Sequence, residues 1–214
     1  MEWERPDMWR CRDASTIDCG AAVLEIGFGC AYTAERIQSH KPRTHTISEC
    51  SPPVLLRLRE WASTRPSVRV IAGTWQRLLG TLGTFDAIFF DDFPLGNAES
   101  EGGFGGMPAP PAPSTGISGG AADPDPALVR RQAYLAVYRN AKSHLHAFVD
   151  LCVTYHMQVG ARLSGYMTHS MGAWRPDISL VTTRMPVRVP KNCTYFDDDV
   201  AVVPLITKIA APAA

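Results

Sequence analysis

Two aspartates stand side by side at the end of an apolar run: FDAIFFDDFP, residues 85–94, reads as a buried strand that carries Asp91 and Asp92 at its mouth. Alternation along a strand sends the two side chains to opposite faces. Asp91 is therefore read as the carboxylate facing a ligand crevice, and Asp92 as a helix cap or solvent-facing acid. Upstream, VLEIGFGCA (23–31) is a strand that runs into Gly27-Phe28-Gly29 and then into a helix starting near Ala31. Glycines there let the backbone approach a ligand closely and leave helix-terminal N–H groups to bind it. Tyr32 occupies the place of the third glycine in the dinucleotide fingerprint, which disfavours a pyrophosphate cofactor. Glu49 closes the next strand about 20 residues after the first glycine, where an acid binds both ribose hydroxyls of a nucleoside, or else stands as a solvated strand-end carboxylate. Gly73-Thr74-Trp75 ends a third strand and offers a backbone amide and an indole to an adenine, or buries the indole as core. A glycine turn, a strand-end acid and a third-strand turn without phosphate ligands together suggest S-adenosylmethionine.

These residues need a frame that brings strand ends together. Apolar and β-branched segments at 22–28, 44–50, 67–73 and 85–90 alternate with helix-like segments at 31–40 and 52–64 and with TWQRLLGTL. That alternation predicts βαβ units: an α/β fold with a mostly parallel sheet and helices on both faces, whose ligands sit outside the carboxyl ends of the strands. A helical stretch from Ala127 to about Met157, with a break, leads to a strand at 161–167. PVRVPKNCTYFDDDVAVVPLITK (186–208) reads as a final pair of strands, antiparallel because no helix separates them. Residues 96–127 are almost all Gly, Pro, Ala, Ser and acid; they read as a low-complexity insertion loop, either inert or a lid over the site that Asp91 faces.

A chain of 214 residues with 45% hydrophobic residues supports one domain with a real core. Twenty-one basic and 21 acidic residues cancel, so no long-range field favours nucleic acid or an anionic membrane as partner. No apolar run approaches the roughly 20 residues of a membrane span, and MEWERPDMWR lacks a signal-peptide profile; a cytoplasmic protein is expected. The six cysteines form no CxxC pair or Cys/His ligand spacing, so no metal is expected and they are read as reduced core residues.

The ordered motifs VLEIGFG, ISEC, LRLREWA, GTW, FDAIFFDDFP and VPKNCTYF…VPLITK resemble guanidinoacetate N-methyltransferase and its arginine N-methyltransferase relatives, over most of residues 2–94 and 148–208. The resemblance implies a class I methyltransferase (Rossmann-like) sheet and S-adenosylmethionine as donor, leaving S-adenosylhomocysteine. By position it implies that Met8, Glu25, Gly27, Phe28, Gly29, Cys30 and Ala31 surround the donor, that Glu49 and Cys50 meet its ribose, and that Thr74 and Trp75 flank its adenine. It makes Asp91 the carboxylate that holds and deprotonates a guanidine, Glu4 the second carboxylate, and Phe93, Thr168 and His169 the remaining substrate contacts. Residues 1–20 become a segment covering substrate and donor.

The chemistry agrees with that assignment. A guanidinium presents a planar fork of donors suited to paired carboxylates and has no nucleophilic lone pair until it loses a proton. The expected function is methyl transfer to a guanidino nitrogen of a small molecule, guanidinoacetate-like or arginine-like. Two alternatives stand beside it: a small amine or hydroxyl acceptor, for which His169 would serve as base, and a non-catalytic donor-binding partner subunit. The departures from the family pattern fall on the acceptor side: the short lead before Glu4, Phe93 in place of tyrosine, the YMTHS loop and the 96–127 insertion.

Overall fold

A computed structural model of the chain describes residues 5, 9, 10, 13, 17–91, 132–134, 136, 137, 144–165, 172, 174–191, 193 and 199–211. Four strands come first: β1 (Ala22–Ile26), β2 (Thr44–Glu49), β3 (Val68–Ala72) and β4 (Phe85–Phe90). They are followed by β5 (Met157–Gly165), β6 (Ile178–Pro186) and β7 (Val200–Lys208). These seven form one sheet in the order β3-β2-β1-β4-β5-β7-β6. The first five strands are parallel, and β7 runs antiparallel between β5 and β6. The expected α/β sheet with an antiparallel C-terminal pair is what forms.

Every residue of β1 is buried, as both faces of a central parallel strand must be covered. Val23 packs on one face with Ile17, Ile37 of α1 (Tyr32–Ser39) and Ala87. Leu58 of α2 (Pro52–Ala62) covers Ile47 and Phe28 on the same side. Leu24 and Ile26 turn to the opposite face, where α3 (Trp75–Leu78) and α4 (His144–Leu151) supply Trp75 and Phe148.

Two boundaries differ from the sequence reading. The strand expected at 161–167 already begins at Met157, after a π-helical turn, Cys152–His156, that ends the helix. Lys208 stabilises that turn from β7: its buried ammonium donates to the carbonyls of Val153 at 2.6 Å and Met157 at 2.8 Å. No local pattern announces a partner some 50 residues away. The first strand of the final pair is Ile178–Pro186, whose ladder to β7 ends at Pro186 opposite Val200, so the PVRVP stretch contributes only its first residue. The cysteine expectation is also corrected: Cys152 is core and its thiol is pushed well up by burial, whereas Cys19 and Cys30 are exposed and Cys50 and Cys193 half-buried. The expected 96–127 insertion and Asp92 lie outside the described residues.

Helix α4 is tied to β6 by charge. Arg175 grips both carboxylate oxygens of Asp177 at 2.8 and 2.7 Å and reaches Asp150 at 3.2 Å and Thr154 at 3.1 Å. On the other side of this face, buried His156 donates from Nδ1 to the Gly83 carbonyl at 2.7 Å, and Tyr134 meets its Nε2. The Arg175 bonds hold the Asp177 carboxyl below its ordinary value. A depressed carboxylate adds stability above its unfolded pKa, near 4, and loses it as pH falls through the folded value. Asp177→Asn is therefore expected to cost about 1–2 kcal/mol at pH 7, and less and less as pH drops below about 4, in urea unfolding across that range. A pH-independent difference would assign the loss to packing.

Candidate active site

The carboxyl ends of the first four strands are laced together past the last ladder pairs. Gly27 N–H donates to Ser48 O at 2.9 Å, Asp91 N–H to Ile26 O at 3.0 Å, and Gly73 N–H to Glu49 O at 2.9 Å. The Ser48 hydroxyl adds a 3.0 Å bond to Gly73 O. Gly27 (φ +84) lies so close to β4 that a Cβ would stand 2.3 Å from Asp91 O. Only glycine serves there, on both conformational and steric grounds. The turn goes on through Gly29 (φ +48) and a left-handed Ala31 (φ 68), whose carbonyl accepts the first helical bond of α1, from Glu35 N–H, at 2.9 Å.

Glu49 holds this turn from β2. One carboxylate oxygen accepts from Phe28 N–H at 3.0 Å and the other from Ser51 N–H at 2.7 Å. A carboxylate has about four lone-pair sites, so roughly two remain for a ligand diol. The Phe28 ring points the other way, buried against Ala34, Ile47 and Leu58 and 5.3 Å from the ring of Trp61. Its backbone serves the site while its side chain anchors the turn.

Between these ends lies a cavity of about 210 Å³. Of the residues expected around a donor, Gly27, Gly29, Glu49, Cys50, Thr74, Trp75 and Asp91 line it. Glu25, Phe28, Cys30 and Ala31 are not among its lining residues. Glu25 is buried beneath the turn with His45 2.8 Å away, and Cys30 is exposed. Trp75 lines the cavity and is also core: it is only 2% exposed, with its ring edge-on to Phe90 and Phe148. The sequence reading missed Ser48, Ser51 and Val54 as lining residues; each adjoins or follows a strand-end residue it had singled out. It also missed His45, a lone histidine in a strand. Glu4, Met8, Phe93, Thr168 and His169 lie outside the described residues.

Parts of the N-terminal segment fasten to α1. The Arg5 guanidinium sits 4.9 Å above the Tyr32 ring, Trp9 Nε1 donates to Tyr32 O at 3.1 Å, and Arg36 pairs with Asp13 through two 2.9 Å bonds. A larger cavity, about 350 Å³, opens at the other end of the sheet beside Asp86, Gly160 and Arg162. Ligands of open parallel sheets bind at the carboxyl ends of the strands, so the smaller cavity is the candidate site.

Residues 1–102 match the family model for guanidinoacetate N-methyltransferase. That match takes in just under half of the chain. Curated relatives include protein arginine N-methyltransferase 2 of Eremothecium gossypii, 38% identical over 104 residues, and that of Saccharomyces cerevisiae, 35% identical over 104 residues. Each match takes in 44% of this chain and 25% of the relative, so the chain spans about a quarter of the length of these proteins. Among solved structures, the N-methyltransferase NodS from Bradyrhizobium japonicum WM9 matches over 98% of both chains with a TM-score of 0.58 and 12% identity. Precorrin-6y C5,15-methyltransferase from Geobacter metallireducens GS-15 matches over 94% of this chain and 87% of its own, with a TM-score of 0.52 and 10% identity. At such identities these two establish the class I methyltransferase fold and nothing finer.

The glycine turn carries a direct test. Gly27→Ala meets both a left-handed φ and the Asp91 carbonyl and is expected to cost at least about 2 kcal/mol in thermal unfolding. Gly29→Ala meets only the first, with nothing within 4 Å of its Cβ, and should cost about 1 kcal/mol. Equal losses would contradict the close approach of β1 and β4.

Proposed function

We propose that the cavity at the ends of β1, β2, β3 and β4 binds S-adenosylmethionine, and that Asp91 there accepts the proton released as a guanidino nitrogen is methylated. One observation carries this reading: among the described residues the cavity is lined by two acidic residues, Glu49 and Asp91, and by no Lys, Arg or His. Such a lining favours a cationic sulfonium donor over a phosphate-bearing cofactor, which needs cationic or multiple N–H partners. Gly27 presents bare backbone at the cavity wall, and Glu49 keeps acceptor sites for a ribose diol. When bound, the donor supplies a methyl group on a positively charged sulfur.

The acceptor's protonation sets the mechanism. A guanidinium has a pKa above about 12 and an ordinary carboxylate near 4, so full proton removal before transfer would cost roughly 11 kcal/mol. Asp91 therefore takes the proton as the new N–C bond forms and the S–C bond breaks. Its carboxylate meanwhile aligns the planar guanidine by charge-assisted hydrogen bonds. The backbone of Asp91 is fixed to β1 by its bond to Ile26 O, which sets the carboxylate's place at the cavity wall.

The family takes its name from a small guanidine, and the curated relatives are named for arginine in proteins; the guanidino group is common to both. We take a small guanidino compound, guanidinoacetate-like or arginine-like, as the acceptor. Labelled donor with guanidinoacetate, free arginine, an arginine-bearing protein and simple amines separates the sources, and transfer to amines alone would defeat the guanidine reading. Asp91→Asn should keep donor affinity within a few-fold and lower kcat by about 10²–10⁴. Unchanged turnover would remove Asp91 from the chemistry.

A further inference from the structure

Beneath the Gly27 turn, on the face of β1 that meets α1, two ionisable side chains are almost wholly enclosed: Glu25 is 1% exposed and His45 0%. His45 Nε2 lies 2.8 Å from Glu25 Oε2. Gln38 of α1 reaches the other ring nitrogen, with its amide nitrogen 3.1 Å from His45 Nδ1. The Gln38 amide oxygen accepts in turn from Ser67 Oγ at 3.1 Å. An amide nitrogen has protons to give and no lone pair to offer, so Nδ1 is the acceptor and the ring's single proton sits on Nε2, donated to Glu25. The chain of donors runs one way, from Ser67 through Gln38 and His45, and ends on a carboxylate.

The bond from Nε2 stabilises the ionised form of the Glu25 carboxyl. Burial holds the Glu25 carboxyl above its ordinary value and the Glu49 carboxylate adds to that push, while His45 opposes it. The Trp61 ring, edge-on at 6.5 Å, closes the remaining side of His45. Glu25 precedes Gly27 by two residues on the same face of the strand, about 7 Å along it. Gly27 lines the cavity.

We propose that His45 is a positioning residue that keeps Glu25 ionised beneath the Gly27 turn, so that the site prefers the cationic methyl donor to its net-neutral thioether product. This rests on the reading of the cavity as the S-adenosylmethionine site. The test is calorimetric binding of S-adenosylmethionine and S-adenosylhomocysteine, without acceptor, to wild type, His45→Leu, His45→Gln, Glu25→Gln and the double variant Glu25→Gln/His45→Leu. His45→Gln keeps an N–H donor for Glu25. His45→Leu and Glu25→Gln are each expected to weaken donor binding about tenfold and product binding less than about threefold, and His45→Gln to stay within about threefold of wild type for both. In the Glu25→Gln background, His45→Leu should add almost nothing. Equal loss of both ligands, additive effects, or an unaltered donor preference in Glu25→Gln would overturn the proposal, and Glu25→Gln decides alone if His45→Leu does not fold. A wild-type protein that binds neither ligand would instead overturn the donor site itself.

Discussion

The ends of β1 and β4 are pressed together more tightly than any side chain allows. With the Asp91 carbonyl 2.3 Å from where a Gly27 Cβ would be, the two strands meet backbone to backbone, and the chain must turn there in a left-handed conformation. Everything the site contains follows from that contact. It fixes Asp91 at the wall, and it turns Phe28 so that its N–H reaches Glu49 while its ring sinks into the core. A mirror of the same constraint recurs one strand over, where a Cβ on Gly165 would stand 2.4 Å from the Phe90 carbonyl. The floor of the cleft is thus a run of bare backbone approaches between neighbouring parallel strands.

Charge then decides what such a cleft can hold. Glu49 and Asp91 border it with no cation among its described lining residues, and Glu25 adds a buried third carboxyl beneath. Two of the three have partners nearby: Glu49 takes two backbone N–H bonds, and Glu25 takes one from His45. A cleft bordered by acidic residues suits a sulfonium and a guanidinium, both cations, better than a phosphate.

The rest of the fold keeps this end of the sheet rigid from a distance. The Trp75 ring meets Phe90 and Phe148 edge-on behind the cavity wall, and those two rings lie against each other at a 32° tilt, joining α3, β4 and α4. Farther out, Lys208 and the Arg175 cluster secure α4 to the antiparallel strands. These contacts touch no ligand, yet they hold the helix that holds the wall.

Local rules were enough to read much of this from the amino-acid sequence. Strand periodicity placed β1 to β4, the GxG turn marked the close approach, and an acid about 20 residues later marked Glu49 at the cavity, because each depends on residues near in sequence. What local rules could not reach was anything fixed by partners far along the chain. The π-helical turn before β5 is bonded to Lys208, the first strand of the last pair is set by its ladder to β7, and the fate of Trp75 depends on Phe148 arriving behind it. His45 is the sharpest case. In the sequence it is one polar residue within a strand; only folding sets it between Gln38 and Glu25, because both partners come from other elements of the chain.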